Sequence, residues 1–508
     1  LRDIFPCCLM RHYRFSTTNI FKFGLTPLVK NKTTCYNVSC VQINVHNTKT
    51  RRWLVYGDYV DKQYQGEELS LEVADKCLKL GLLGLGTVGS GVAQLLLTNQ
   101  DRIARRAGVG IEVKWALVRD AGKDRPVEYE VPLTTNINDI LNDPEIELVV
   151  EVMGGQETAF TYIMDALNRG KNVVTANKDL LSTRGQELFA TAEKNGVDLY
   201  FEASVGGGIP IIRPLKTCLA GNRVEKLCGI VNGTTNYILT QMEQGTSYEA
   251  ALKLAQEQGF AEADPSADVL GLDAARKIAI LASIGFGARV RADEVSCVGI
   301  QHLEPQDLVY ARELGYKVKL LALAEQTELG LQVRVHPSLV PLNHALASID
   351  GVLNAIVVHG NAVGEVVFVG QGAGRMPTAS AVVGDIIEVA RNIQGGVKGR
   401  NGCTCFDHKQ LCPPDQIKDS YFVRFEVEDK PGVMAKMAAA FGAADVSLWS
   451  VIQKRQTERG AEIVIVTYPT PGQRFQQAIA TLKLYPEIFT IHQPIIVEGD
   501  EAYVAGHH

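Results

Sequence analysis

Apolar positions change their spacing several times along this chain, and each change marks an element. Residues 79–85, KLGLLGL, are an unbroken apolar run of strand length, and GVAQLLL after them has helical character. The alternation repeats: 112–118 (EVKWALV) and 146–153 (IELVVEVM) predict strands, 157–169 a helix, and 172–176 (NVVTA) another strand. Strands apolar on both faces and separated by helices predict a parallel sheet covered on both sides. FEASVGGGIPII (201–212) reads as a strand and glycine-rich turn before another helix, and CGIVNGTTNYIL (228–239) as strand, polar loop and helix. From Gly271 onward Leu272, Ala275, Ile278, Ala279, Leu281 and Ala282 keep helical spacing. Residues 370–390 predict a glycine-containing loop opening into a long helix, with Pro377 in its first turn.

Residues 393–418 hold glycines, Pro413-Pro414 and no apolar period, which predicts a linker. Beyond it, YFVRFEVED alternates as a strand, 429–433 turn, and a helix runs to residue 443. A strand (446–453), a hairpin over 458–460, a strand (461–468), a helix (475–483) and a last strand (489–497) complete a βαββαβ, ferredoxin-like order. With 508 residues the chain exceeds a single core. The expected fold class is α/β: a Rossmann-type dinucleotide-binding domain at 77–205, an α+β domain at 206–392, the linker at 393–418 and the ferredoxin-like module at 419–500. The last helix of the second domain is expected to return towards the nucleotide domain.

Composition changes this picture little. The chain is 46% hydrophobic and 21% charged with net charge -6, as soluble globular proteins are. The mildly acidic balance argues against a nucleic-acid surface. No apolar run approaches the roughly 18 residues needed to span a bilayer, so no membrane partner is expected. Eleven cysteines without framework spacing point to reduced thiols and a cytoplasmic location. Residues 1–76 stand apart: Arg2, Arg11, Arg14, Lys22, Lys30 and Lys32 with Ser16, Thr17 and Thr18 resemble an organellar transit peptide. That reading gives a stroma or matrix as the alternative location; a fragment or non-native extension fits equally. Cys403, Cys405 and Cys412, with His408, are a thin zinc candidate lacking a ligand at metal spacing.

Candidate chemistry gathers at four places. Gly84-x-Gly86-x-x-Gly89 joins the first strand to its helix, the context of a dinucleotide fingerprint. Gly84 would make the tight turn, Gly86 would admit a pyrophosphate and Gly89 would let helix pack on strand. The second strand delivers Arg119, which favours a 2′-phosphate and hence NADP, while Asp120 keeps NAD open. Lys178 follows the strand 172–176, where ligands bind in open sheets, although a surface lysine starting the next helix would look the same. Glu202 and the glycine turn after it could hold a monovalent cation; a turn needing positive φ explains the glycines without one. Finally, GFAEADPSADVLGLDAARK (259–277) gathers Glu262, Asp264, Asp268, Asp273, Arg276 and Lys277 where a helix begins. Asp273 and Lys277, at i and i+4, are either a solvated ion pair or a desolvated site that exchanges protons.

Together Gly84-Leu85-Gly86-Thr87-Val88-Gly89, EVMGG (151–155), TANK (175–178), VNGTTNYIL (231–239) and the 259–277 stretch resemble homoserine dehydrogenase, and DKPGV at 429–433 resembles the start of an ACT domain. The resemblance spans residues 78–497 and implies NAD(P)H-dependent interconversion of L-aspartate 4-semialdehyde and L-homoserine, on the route to threonine, methionine and isoleucine. It assigns Lys277 as proton donor or acceptor and Lys178 as a second essential lysine near nicotinamide and substrate. Glu262, Asp273 and Asp268 fall to the substrate. Gly84, Gly86, Thr87, Val88, Gly89, Arg119, Lys178, Gly259 and Gly374 fall to the cofactor. Glu202 with the backbone carbonyls of Val205, Gly207 and Ile209 matches a sodium- or potassium-type cation site. The ACT module implies an amino-acid effector, threonine first, and a homo-oligomer (dimer or tetramer), because such modules bind ligands between paired copies. Leu270 and Val298 depart from the family pattern, each standing where an acid is expected.

Overall fold

The computed structural model describes residues 39–43, 52–56, 77–123, 131–456 and 460–499. The chain forms two compact units, 1–71 and 72–508. In the first, Ser39–Ile43 pairs antiparallel with Arg52–Tyr56; the transit-peptide expectation otherwise falls outside the described residues.

The second unit opens with a six-stranded, all-parallel sheet. Its order is Leu133–Thr134, Gly110–Leu117, Cys77–Leu83, Ile146–Glu151, Asn172–Thr175, Leu199–Tyr200. Numbered along the chain this is 3-2-1-4-5-6, the dinucleotide-binding order. The strands are apolar throughout because both faces are covered. Leu148 and Val150 face one core with the helices Thr87–Thr98, Gln100–Ala107 and Arg375–Gln394, and Val149 faces the other with Glu157–Asn168 and Lys178–Asn195. Arg375–Gln394 therefore completes the nucleotide domain from far along the chain. It packs so closely that a Cβ on Gly91 would lie 2.8 Å from the Arg375 carbonyl oxygen.

A second, twelve-stranded sheet runs Gly364–Gln371, Leu353–Gly360, Val224–Ile230, Tyr316–Thr327, Gly330–Pro341, Ile495–Val497, Lys418–Val427, Ala461–Thr467, Leu448–Gln456. Three short strands, Ser296–Cys297, Thr470–Pro471 and Ile488–Ile491, pair alongside this path. The C-terminal module is continuous with the middle domain, because Ile496 pairs with Ser338 on one side and Tyr421 on the other. Within the module the spatial order 4-1-3-2 with helices Val433–Ala443 and Gly472–Leu482 is ferredoxin-like. Two buried ion clusters fasten it. Arg334 donates to both oxygens of Asp419 at 2.5 and 2.7 Å. Arg424, 1% exposed, donates to Asp307 (2.8 Å), Glu462 (2.9 Å) and Glu304 (2.5 Å). Asp307 and Glu304 belong to the start of helix Pro305–Glu313 in the middle domain, so this one guanidinium ties the two domains together.

Three expectations change. The strand expected from Phe201 ends at Tyr200, because Glu202–Ser204 turn as a 3-10 helix whose Glu202 N–H donates to buried Asp385. The last strand is broken between Ile491 and Ile495, around Pro494, which has no N–H for a ladder. The first strand of the C-terminal module begins at Lys418, so the linker is shorter than expected at that end. No helix among the described residues is long and apolar enough to cross a membrane.

Candidate active site

At the carboxyl end of the parallel sheet a crevice of about 720 Å³ is lined by Gly84, Gly86, Thr87, Arg119, Gly154 and Gly155, among others. Each fingerprint glycine meets a different constraint. Gly84 has φ +101°, and a Cβ there would lie 2.8 Å from the Met153 Cα. A Cβ on Gly89 would lie 2.0 Å from the Gly84 carbonyl oxygen, whereas one on Gly86 would meet nothing within 4 Å. Open space thus lies over Gly86, at the start of a helix with no side-chain cap, where N–H groups favour an anion. The crevice floor is braced by Glu151, which accepts from Met153 N (2.9 Å), Gly154 N (3.2 Å) and Thr175 Oγ1 (2.6 Å). Burial raises the pKa of its carboxyl, against these bonds. At the rim Arg119 and Asp120 are both exposed, and Asp120 accepts from Gly122 N at 2.8 Å. These features fit a dinucleotide.

Beside the crevice lies the charged cluster. Asn177, the cap of helix Lys178–Asn195, accepts from Leu180 N and donates to the Gly155 carbonyl at 2.7 Å. Lys178 is the first residue of that helix, an unfavourable place for a cation. Asp273 offsets the mismatch: its Oδ1 lies 3.2 Å from Lys178 Nζ. Its Oδ2 lies 2.7 Å from Lys277 Nζ, one turn along helix Leu272–Gly285, and Lys277 donates to the Val231 carbonyl at 2.7 Å. Asn232 completes the arrangement. Its Oδ1 caps helix Gly233–Glu243, and its Nδ2 donates to Asp268 at 2.7 Å and Asp273 at 2.8 Å.

Asp273 and Lys277 are 6% and 9% exposed, so the solvated ion pair is excluded in favour of the desolvated one. Burial would push the Asp273 carboxyl up, but the Lys277 and Lys178 ammoniums hold it far below the carboxylate range. Burial works to lower Lys178, and Asp273 and Asp179 more than reverse it. Burial raises Asp268, with Asp273 adding to the rise.

The sign of the pH dependence follows. A depressed carboxyl contributes stability above its unfolded value of 3.8 that is lost as pH falls further. A raised lysine contributes stability below 10.5 that is lost only above it. The melting difference between wild type and Asp273→Asn is therefore expected to stay constant between about pH 5 and about pH 9 and to shrink below about pH 4. Calorimetry across that range checks it, and a difference that grew on acidification would contradict the pairing.

The turn 204–209 has a different character. Glu202 is buried, and its carboxylate accepts from Ile211 N (2.6 Å), Ile212 N (2.8 Å) and Arg213 N (2.7 Å). Asp385, on helix Arg375–Gln394, accepts from Glu202 N at 2.8 Å and from Arg213 Nη2 at 2.9 Å. Burial first and the Glu202 charge second push the Asp385 carboxyl up to about 7. Among the described residues no hydrogen bond reaches the buried carbonyls of Val205, Gly207 and Ile209. The Glu202 side chain is thus largely used in holding the turn, and the unpartnered oxygens are backbone ones.

Of the residues singled out in the sequence, Lys178, Lys277, Asp273 and Asp268 come together, and Gly84, Gly86, Thr87 and Arg119 line the crevice. Val88 and Gly89 follow in the first turn of the same helix. Gly374, φ +120°, precedes helix Arg375–Gln394. Gly259, φ +74°, turns the chain after helix Tyr248–Glu257 and is not among the residues lining the crevice. Glu262 is exposed, and no ion pair reaches its carboxylate among the described residues. Leu270 and Val298 are 39% and 45% exposed; the Leu270 carbonyl accepts from Cys297 Sγ, and the Val298 N–H donates to Val335. Asn232 joins the cluster without a role legible from the motif that holds it, although an asparagine between strand and helix is a recognisable cap. Cys412 lies apart from Cys403 and Cys405 on the edge of Gly330–Pro341, its N–H donating to Leu331. Among the described residues no group of three or more His, Cys, Asp or Glu could hold a metal ion.

Comparison with known proteins agrees with this geometry. A family model described as homoserine dehydrogenase matches residues 210–387, one described as homoserine dehydrogenase, NAD binding domain, matches 84–202, and one described as ACT domain matches 421–483. The homoserine dehydrogenase of Bacillus subtilis (strain 168) is 42% identical over 429 residues, 84% of this chain and 99% of that protein. That of Synechocystis is 46% identical over 414 residues, 79% of this chain and 95% of that protein. The crystal structure of a homoserine dehydrogenase from Thiobacillus denitrificans superposes with a TM-score of 0.80 at 40% identity, covering 83% of this chain and 98% of that one. A hyperthermophilic archaeal homoserine dehydrogenase mutant in complex with NADPH matches at a TM-score of 0.54 and 27% identity, over 62% of this chain and 98% of that one.

Proposed function

Since the chain belongs to the homoserine dehydrogenase family and is an NAD(P)-dependent oxidoreductase, we propose that it reduces L-aspartate 4-semialdehyde to L-homoserine with NADPH, using Lys277 and Lys178 at the reacting carbonyl. The observation carrying this reading is Asp273 held between the two ammoniums. The nicotinamide supplies the hydride when bound. The carbonyl oxygen must gain a proton as charge develops on it, and Lys277, fixed by Asp273 and the Val231 carbonyl, holds one at Nζ. Lys178 adds a second positive charge oriented beforehand. Asp273 positions both lysines through its two oxygens, and the exposed Glu262 carboxylate is left to receive the substrate's ammonium group.

The open space over Gly86 would admit the cofactor, and Thr87, Val88 and Gly89 would offer their N–H groups to its phosphates. Arg119 would take a 2′-phosphate; its exposure at the rim of the crevice, with one Asp120 oxygen engaged by the Gly122 N–H, supports NADPH over NADH. Replacing Arg119 by alanine is expected to raise the KM for NADPH about 10- to 100-fold, a charged hydrogen bond's worth, and to leave that for NADH nearly unchanged. Steady-state consumption of each cofactor with aspartate semialdehyde tests the whole reading. No turnover by wild type rejects it, and parallel losses with both cofactors reject the role of Arg119.

The carbonyls of Val205, Gly207 and Ile209 suit a sodium or potassium ion, because buried carbonyls without partners are otherwise costly. The ACT module supports feedback by an amino acid, threonine being the end product of the route this family serves, and assembly of at least a dimer. Activity that L-threonine leaves unchanged at any concentration would reject the feedback reading.

A further inference from the structure

Behind the two lysine-bearing helices sits a thiol pair that the dehydrogenase reaction leaves unused. Cys403 and Cys405 lie two residues apart on the segment after helix Arg375–Gln394 and line the same small cavity. Arg289 Nη2 donates to Cys403 Sγ at 3.2 Å. Lys216 approaches from the turn Pro214–Cys218, donates to the Gly402 carbonyl at 2.8 Å and lies over the rings of Phe189 and Phe201. Cys405 Sγ contacts the Ser283 carbonyl at 3.7 Å. These groups, with Leu181, Ser182 and Ile280, enclose a cavity of about 30 Å³. That is room for a molecule of about the size of water.

Two cations beside two neighbouring thiols favour a thiolate on one of them. Cys403 is that one: the Cys405 thiol beside it outweighs burial, Arg289 and Lys216 add to the effect, and together they bring the thiol down to about 5. The same contact and burial push Cys405 up, so it keeps its proton. The pair thus combines a nucleophile, a protonated partner and a small adjoining cavity.

We propose that Cys403 and Cys405 form a redox site for hydrogen peroxide. The Cys403 thiolate attacks one peroxide oxygen, the O–O bond breaks and hydroxide leaves. The sulfenic acid so formed condenses with the Cys405 thiol, giving the Cys403–Cys405 disulfide and water. Two electrons pass from the two sulfurs to the peroxide. A disulfide spanning a single residue is readily reduced, which suits a reversible switch. Its formation removes the thiolate paired with Arg289 beside helices Lys178–Asn195 and Leu272–Gly285.

The test uses the reduced full-length protein and equimolar hydrogen peroxide, followed by mass spectrometry of whole chain and peptides. The expected product has lost two hydrogens in the peptide holding residues 403 and 405. Cys405→Ser is expected to stop at a sulfenic acid on Cys403 that dimedone traps, and Cys403→Ser to give neither product. Iodoacetamide labelling of Cys403 should change less than about twofold from pH 8 to pH 6, while glutathione in the same tube falls about tenfold per unit. Arg289→Gln should move Cys403 towards the glutathione profile. Labelling of wild-type Cys403 that falls in step with glutathione, or peroxide that leaves the pair unmodified, overturns the proposal.

Discussion

Replacing Lys277 by alanine is expected to lower kcat on the order of a hundred- to ten-thousandfold, the range spanned by loss of a positioned acid or base. The KM for aspartate semialdehyde should move much less, and the Kd for NADPH should stay within about twofold, because a proton held for the transition state adds little to ground-state binding. The geometry gives this its force. Lys277 Nζ is fixed by Asp273 and the Val231 carbonyl, and neither residue lines the crevice assigned to the cofactor. Asp273 retains Lys178 and Asn232 in the variant, so its charge stays paired and the fold should persist. Calorimetric titration with NADPH beside steady-state rates separates the outcomes. A variant that loses NADPH binding in proportion to activity would move Lys277 from proton transfer to cofactor positioning.

Replacing Arg424 by methionine is expected to cost about 3–5 kcal/mol, the penalty for leaving buried charge without its partner. Asp307 and Glu462 are 1% and 0% exposed, so water cannot take over from the guanidinium. Glu304, 53% exposed, can be rehydrated and should contribute little. Heating should therefore release the C-terminal module ahead of the nucleotide domain, splitting one calorimetric transition into two. Converting Asp307 and Glu462 to apolar residues of similar size in the same background should recover most of the loss, because a whole buried ion cluster is often replaceable. A single unshifted transition for Arg424→Met would show that the cluster does not join the domains.

What the sequence reveals about this molecule depends on how near each partner lies along the chain. The fingerprint glycines are legible because their constraints act within a few residues, as in the contact between Gly89 and the Gly84 carbonyl. Asp273 and Lys277 are legible as a pair because one helical turn separates them. Their burial, which decides between solvated pair and site, is not local: it comes from Asn232, the Val231 carbonyl and Lys178, each contributed by another element. Arg424 reads in sequence as a polar residue on an alternating strand, and only its distant carboxylates make it a tie between domains. The break in the last strand was available in Pro494, whose missing N–H limits where a ladder can continue. Glu202 shows the opposite difficulty. A lone acid beside glycines suggests an ion, yet its carboxylate receives three backbone N–H groups from residues 211–213, which no local pattern foretells.

The continuous twelve-stranded sheet also sets an order of events during synthesis. Gly330–Pro341 finds part of its pairing only in Ile495–Val497, more than a hundred residues later, and the nucleotide sheet begun at Cys77 waits for Arg375–Gln394 to cover one face. A nascent chain that has reached about residue 370 therefore presents an apolar sheet face and an unpaired strand edge to its surroundings. Both are surfaces on which nascent chains aggregate, and loops this long close slowly. Chaperone demand should thus peak after Gly330–Pro341 has been made and fall once Ile495–Val497 emerges.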